Sequence, residues 1–447
     1  MYLKGEISMS YARWENKNEI KQKLNKIKLQ EEIESSGLPV VIENDNFYIT
    51  NNHSHSLIVG ATGSGKTQAL ILPLIKLSML AGESLIVNDI KGELYKLTAN
   101  SFKERGYETL MLDFNDAVYG NYWNPLTLPY NLYKEGNTDK TLNLLEEIGY
   151  YLFSDIHSTA DPFWTNSTVD YFTGLCLYLF KNHDKEANLN DVFSLANKLM
   201  DDKECDIFLK EIGKSNAIYY NVSGTLTAPK DTKGGIFSTF NQKLKKYISK
   251  ENLSNMMSKS DFDINTIANK KTVVYIVREY NDIANNIIPL FINQVFESVN
   301  IYGHNKKQLN IILDEFDSLL PIRNFSEIIN YSRSLGIIFT VVIKSYLDLI
   351  NTYGKENSEL IKLCFGNFVY LYANDIYTLE EISKLCGNKK DASGVLPLAT
   401  MEDLKSLDTF EAVFLLPRLM PYKGKMIPDY KIEWNFGSKK AEFVKRK

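Results

Sequence analysis

The sequence predicts an α/β protein whose strand–helix alternation is interrupted by an all-α insertion. Three observations carry that reading. Short apolar stretches at 57–59, 84–87 and 109–112 alternate with helical periodicity, as strands of a buried parallel sheet do. Between 136 and 265 strand signals nearly vanish and helical spacing takes over. The alternation then resumes, with apolar runs at 272–277, 309–313, 337–343, 368–372 and 412–416.

The elements can be justified in order. Residues 1–44 read as a polar arm, with a helix expected over 19–32 because Ile20, Leu24 and Ile27 share one face. β-branched and aromatic residues between 40 and 50 predict a strand pair turning at 43–46. A helix over 66–80 is expected to bend at Pro73, whose nitrogen carries no hydrogen. Within the insertion the clearest helices fall at 141–153, 165–180, 189–200 and 237–248, and later ones at 286–302 and 326–334.

Composition removes several classes of function. With 447 residues, 44% of them hydrophobic and 24% charged, the chain can bury a sizeable core and is not a disordered polymer. A net charge of −4 excludes a polycation that coats nucleic acid, so any DNA contact must come from local basic elements. Cys176, Cys205, Cys364 and Cys386 lie far apart, which argues against a disulfide framework or a zinc site. No stretch approaches the roughly 20 apolar residues that cross a bilayer, so the sequence reads as soluble.

Chemistry is concentrated in two places. Gly60-Ala61-Thr62-Gly63-Ser64-Gly65-Lys66-Thr67 satisfies the phosphate-loop pattern in full and lies between an apolar strand and a helix that continues through Gln68. Glycines let the backbone N–H groups wrap a polyphosphate, and the helix N-terminus adds partial positive charge. The expected ligand is ATP with Mg²⁺: Lys66 pairs the outer phosphates and the Thr67 hydroxyl holds the metal. Downstream, an apolar run at 309–313 ends in Asp314 and Glu315, expected to hold the Mg²⁺ shell and to act as general base respectively. Asp89 is an alternative for the metal, its side chain being equally suited to cap a turn. Arg333 is the candidate for a finger reaching a neighbouring subunit's γ-phosphate, with Arg278 and Arg323 as rivals.

Taken together, the motifs resemble the type IV secretion coupling proteins, the conjugative-transfer ATPases of TraG/TraD type. The similarity runs through Tyr11-Ala12-Arg13-Trp14, the phosphate loop with Pro73, Asp89-Ile90-Lys91-Gly92-Glu93-Leu94, Asn124-Pro125-Leu126 and Asp161-Pro162-Phe163-Trp164. It continues through Asp314-Glu315-Phe316, Arg333 with Gly336-Ile337, and Tyr353-Gly354. The resemblance implies a RecA-like P-loop domain (45–135 and 266–447) with an all-α insert (136–265), assembled as a homo-hexamer. It also implies ATP-driven transfer of DNA, with its bound relaxase and accessory proteins, to a secretion channel. A nucleotide-gated docking platform and a DNA translocase of another system are the alternatives.

Two departures from the family pattern stand out. The usual transmembrane anchor is not seen, so a separate membrane protein is expected to recruit a cytoplasmic protein to the inner face of the membrane, with residues 1–44 as the contact. Lys344-Ser345 stands where members usually carry glutamine, and an ammonium cannot accept a hydrogen bond. Lys243, Lys245, Lys246 and Lys250 around Tyr247 form the densest basic cluster of the insert, read first as a solvated helix face and second as a DNA contact. The basic tail of Lys439, Lys440, Lys445, Arg446 and Lys447 is expected to be disordered.

Overall fold

The computed structural model describes residues 11–29, 31–51, 53–155, 161–183, 186–278, 282–303, 307–392, 394–437 and 439–446. Strands are numbered in chain order: β1 (Asn25–Lys28), β2 (Pro39–Glu43), β3 (Asn46–Ile49), β4 (Ser56–Gly60), β5 (Ser84–Ile90), β6 (Glu108–Asp113) and β7 (Thr272–Arg278). They continue with β8 (Leu309–Leu313), β9 (Ile337–Ile343), β10 (Asn367–Tyr372), β11 (Asn388–Asp391), β12 (Gly394–Pro397), β13 (Glu411–Leu415) and β14 (Tyr422–Lys425). The fold is α/β with a helical insertion.

The chain forms two compact units, the first built from Met1–Val87, Lys306–Ser318 and Asn324–Lys439. Its strands lie in the order β14-β13-β10-β4-β9-β8-β5. β10, β4, β9 and β8 are parallel neighbours, and every residue of β4, β8 and β9 is buried. Predominantly Ile, Leu and Val runs suit strands covered on both faces. The alternation does not persist to the end. β13 pairs antiparallel with β10 although helices Ile376–Cys386 and Met401–Lys405 and the β11–β12 hairpin lie between them, and β14 follows β13 antiparallel across a short turn.

The arm also differs from its expectation. Its helix is Lys17–Lys23 only, opened by a capping box in which Asn16 and Glu19 satisfy each other's backbone N–H groups. Beyond it the chain becomes strand β1, which pairs with β3, while β3 pairs with β2. The small sheet buries Phe47 and Ile49 with Leu29, Ile33, Leu77 and Ala81, and Trp434 packs on the same cluster. Ile20, Leu29 and Ile33 of the arm are therefore buried, and the helical stripe predicted over 19–32 gives way after Lys23, where β1 pairs with β3 as a largely exposed strand.

The second unit comprises Asn88–Asn305, Leu319–Arg323 and Lys440–Lys447. β6 and β7 are parallel neighbours, in register from Glu108 opposite Thr272 to Asp113 opposite Val277. Between them the chain makes its helical excursion, through helices that include Thr138–Phe153, Pro162–Asn182, Leu189–Lys198 and Lys230–Ile248. Helices Asp202–Ile212 and Ala217–Leu226 escape the periodicity reading, yet each opens on a side-chain cap, Asp201 and Asn216. Phe153, Phe172, Tyr171 and Phe240 interlock as the aromatic core of the excursion.

The basic tail is docked as far as Arg446, contrary to the disorder expected, and Lys447 lies outside the described residues. Phe443 lies edge-on to Tyr95 and Tyr119, and the Ala441 N–H donates to the Lys96 carbonyl. Arg446 donates to the Tyr119 carbonyl at 2.8 Å and covers the Tyr122 ring at 4.8 Å. Composition suggested disorder because it weighs the lysines and overlooks the two residues, Phe443 and Arg446, that find aromatic partners.

Candidate nucleotide site

β4 ends at Gly60, and the chain turns through Ala61, Thr62, Gly63, Ser64 and Gly65 before the helix begins. Gly63 and Gly65 take φ of 84° and 88°, a region that L side chains rarely occupy. A Cβ on Gly65 would lie 2.6 Å from the Phe410 ring, and one on Gly60 would lie 2.7 Å from Ser64 Oγ. Gly65 is thus closed to larger residues by packing as well as by conformation, Gly63 by conformation alone and Gly60 by packing alone. The first turn after the loop, Thr67–Ile71, is a wide π-turn in which the Leu72 N–H reaches the Thr67 carbonyl. Pro73, following at the start of helix Leu72–Ala81, cannot donate to its preceding turn, and the expected bend takes this form.

Two polar groups in the loop await a ligand. Lys66 is buried and its ammonium donates to the Gly60 carbonyl at 3.2 Å. Ser64 Oγ is buried with no hydrogen-bond partner. A cradle of backbone N–H groups, an inward-turned ammonium and an orphaned hydroxyl fit a polyphosphate.

β8 delivers the acidic pair to the same edge. β9 lies between β4 and β8, with Val59 opposite Ile343 and Val341 opposite Leu313. The carboxyl ends of three parallel strands therefore bring Gly60, Lys344 and Asp314 side by side, where open α/β sheets place their ligands. The Glu315 N–H donates to Asp314 Oδ1 at 3.0 Å. Glu315 itself sits at φ 50°, a left-handed conformation that costs energy for a residue with a side chain. Lys344, one residue past β9, holds its ammonium 3.8 Å from Glu315 Oε2. Burial raises the Asp317 carboxyl above the ordinary range, and the Lys344 charge pulls it the other way.

The remaining candidates separate cleanly. Asp89, in the second unit, is buried and accepts the Leu94 and Tyr95 N–H groups at 3.1 and 2.7 Å, capping helix Glu93–Glu104. Burial pushes its carboxyl up to about 7. Arg278 is buried against Asn88 and Asn285. Arg323 pairs with Glu147 at 3.0 Å and covers the Tyr150 ring. Arg333 is exposed in the turn Arg333–Leu335, which precedes β9 and so lies at the opposite end of that strand from Lys344. In the insert, Tyr247 is buried, and Lys243 and Lys246 both pair with Asp155, so that cluster offers no aromatic face for a base. Among the described residues no group of three or more His, Cys, Asp or Glu side chains could hold a metal, so an ion here would depend on Thr67, Asp314 and the phosphates.

The sequence profile described as Type IV secretory system Conjugative DNA transfer matches residues 5–391. The chain belongs to that family. The conjugal transfer protein TraG of Escherichia coli is 25% identical to this family member over 369 residues, covering 76% of this chain and 56% of TraG. The coupling protein VirD4 of Bartonella henselae is 25% identical over 240 residues, covering 50% of this chain and 37% of VirD4. The chain spans about half the length of the TraG relatives it matches.

Among solved structures, the plasmid coupling protein TrwB with the GTP analogue GDPNP superposes with a TM-score of 0.72 at 14% identity, covering 98% of this chain and 97% of that one. TrwB with ADP and Mg²⁺ gives 0.71 over the same shares. VirB4 of Thermoanaerobacter pseudethanolicus gives 0.58 at 13% identity, covering 88% and 96%. At such identities the likeness speaks to fold: a RecA-like nucleotide-binding domain with a helical domain. Among the described residues no helix of this conjugative-transfer family member is long and apolar enough to cross a membrane.

Proposed function

We propose that this protein is an ATP-driven coupling motor that recruits or pumps DNA, with its bound relaxase, to a type IV secretion channel. The observation that carries the reading is the convergence of Gly60, Lys344 and Asp314 at one edge of a parallel sheet, with Lys66 and the orphaned Ser64 hydroxyl turned into the loop. Family membership supports the DNA-transfer part of the reading.

In this mechanism the loop Gly60, Ala61, Thr62, Gly63, Ser64, Gly65, Lys66, Thr67 and Gln68 binds ATP through backbone N–H groups and the Lys66 ammonium. Thr67 and Asp314 would hold Mg²⁺, which would supply charge neutralisation for the phosphates. Glu315 accepts a proton from a water whose oxygen bonds the γ-phosphorus. The bond from that phosphorus to the β–γ bridging oxygen breaks, and its electron pair leaves with ADP. Arg333 of a neighbouring copy in a hexamer stabilises the charge that develops.

The insert selects relaxosome proteins. A membrane protein of the channel holds the assembly at the inner face of the membrane through the exposed face of helix Lys17–Lys23. Ile20, Leu29 and Ile33 of the arm are buried, so this contact is tested by placing acidic residues at exposed Asn18 and Gln22 of that helix rather than by deletion.

Turnover measured with and without single-stranded DNA tests the motor: DNA should raise kcat, and Glu315→Gln should bind ATP yet turn over at least about 100-fold more slowly. The ion pair of Lys344 with Glu315 favours a second reading, a nucleotide-gated docking platform. Tight ATP binding with negligible turnover in both conditions would select it.

A further inference from the structure

We infer that Lys344 is a γ-phosphate-sensing positioning residue: with no γ-phosphate bound its ammonium holds Glu315, and an arriving triphosphate draws it away and frees the carboxylate. The inference rests on the nucleotide reading above and adds to it a role for this chain's own departure from the family pattern.

Position is the first argument. Val59 and Ile343 are paired partners, so the next residues, Gly60 and Lys344, leave the sheet side by side. β8 lies on the other flank of β9, which sets the Asp314–Glu315 turn beside Lys344 as well. Lys344 therefore stands between the phosphate loop and the general base, with both within reach of a flexible four-carbon stem.

Charge is the second argument. The Lys344 ammonium lies 3.8 Å from Glu315 Oε2, with the two side chains 31% and 16% exposed. At that separation and exposure an ion pair is weak and is given up readily to a stronger anion. Asp317, on the turn after Glu315, also feels the Lys344 charge, while Asp348 on the following helix accepts the Ser345 hydroxyl at 2.7 Å. On the loop side, the Lys66 ammonium rests on the Gly60 carbonyl. Two ammonium groups thus flank the mouth of the loop, each parked on an oxygen of the protein. A terminal phosphate bears more charge than a carboxylate and makes stronger charge-assisted bonds to both. Glutamine at this position would report the γ-phosphate or the water by neutral hydrogen bonds; lysine reports it by charge.

The test compares ADP with a non-hydrolysable ATP analogue by calorimetry on the full chain. Lys344→Gln should weaken the analogue at least about tenfold while leaving ADP unchanged. Lys344→Arg should retain most of the discrimination. Glu315→Gln, which removes the resting partner, should tighten the analogue alone, and the gain should vanish in the double variant. Equal effects on both nucleotides, unchanged discrimination in Lys344→Gln, or a gain that survives in the double variant would each overturn the inference. Wild-type protein that binds neither nucleotide would instead sink the underlying reading.

Discussion

Buried beside Phe339 and Phe365, the His55 ring donates from Nε2 to the Ile329 carbonyl at 2.9 Å and accepts the Phe339 N–H at Nδ1 at 3.0 Å. That pattern requires the neutral ring, and burial pulls its pKa down to about 4. The unfolded chain takes up the proton near 6.5, whereas the folded chain refuses it down to about 4. Stability from this residue is therefore full above about 6.5 and falls as pH drops toward 4, by roughly 3 kcal/mol in all. His55→Gln should flatten that part of the pH dependence of urea unfolding, and an unchanged slope would refute the assignment. At the phosphate loop, Lys66→Ala should abolish nucleotide binding with little change in Tm, as measured by calorimetry and thermal melts. Residues of this kind were legible in unequal measure. The loop and Asp314-Glu315 could be read because each is contiguous. The Lys344–Glu315 pair could not, because it depends on β9 lying between β4 and β8.

At the scale of elements, the phosphate loop leans on a distant turn. Phe410, itself at φ 69°, closes over Gly65, and nothing in its sequence neighbourhood signals a residue in that conformation. Gly65→Ala should lose ATP affinity by more than about tenfold through both clash and backbone strain. Adding Phe410→Ala should restore only part of it, since the φ of 88° remains. Full rescue, read by the same titration, would mean that the clash alone matters. The tail makes a similar contact in the second unit, where a Cβ on Gly92 would lie 2.3 Å from Phe443 Cζ. Phe443→Ala should cost about 1–2 kcal/mol and speed hydrogen exchange in helix Glu93–Glu104. The buried parallel strands were legible because they are apolar runs, and so was β13, expected at 412–416. Helix ends, the short strand β1 and the hairpin partner β14 were not, since caps, short turns and pairing partners decide them.

At the scale of the whole molecule, Arg333 and Lys344 mark opposite ends of β9, a strand of seven residues. In the proposed mechanism Arg333 would therefore reach a neighbour's nucleotide and not its own. Arg333→Ala and Lys66→Ala proteins, each inactive alone, should regain DNA-stimulated hydrolysis when mixed in verified hexamers. Failure would remove Arg333 as the finger. The path of the chain carries a further consequence. Each compact unit is assembled from three separate segments, and the second is completed only by Lys440–Lys447. A ribosome releases residues in order, so the first unit waits for Asn324–Lys439 and the second for the final stretch. Until residues 337–372 have been made, apolar β4 lacks both of its neighbours, β9 and β10, and a nascent chain at that stage exposes it.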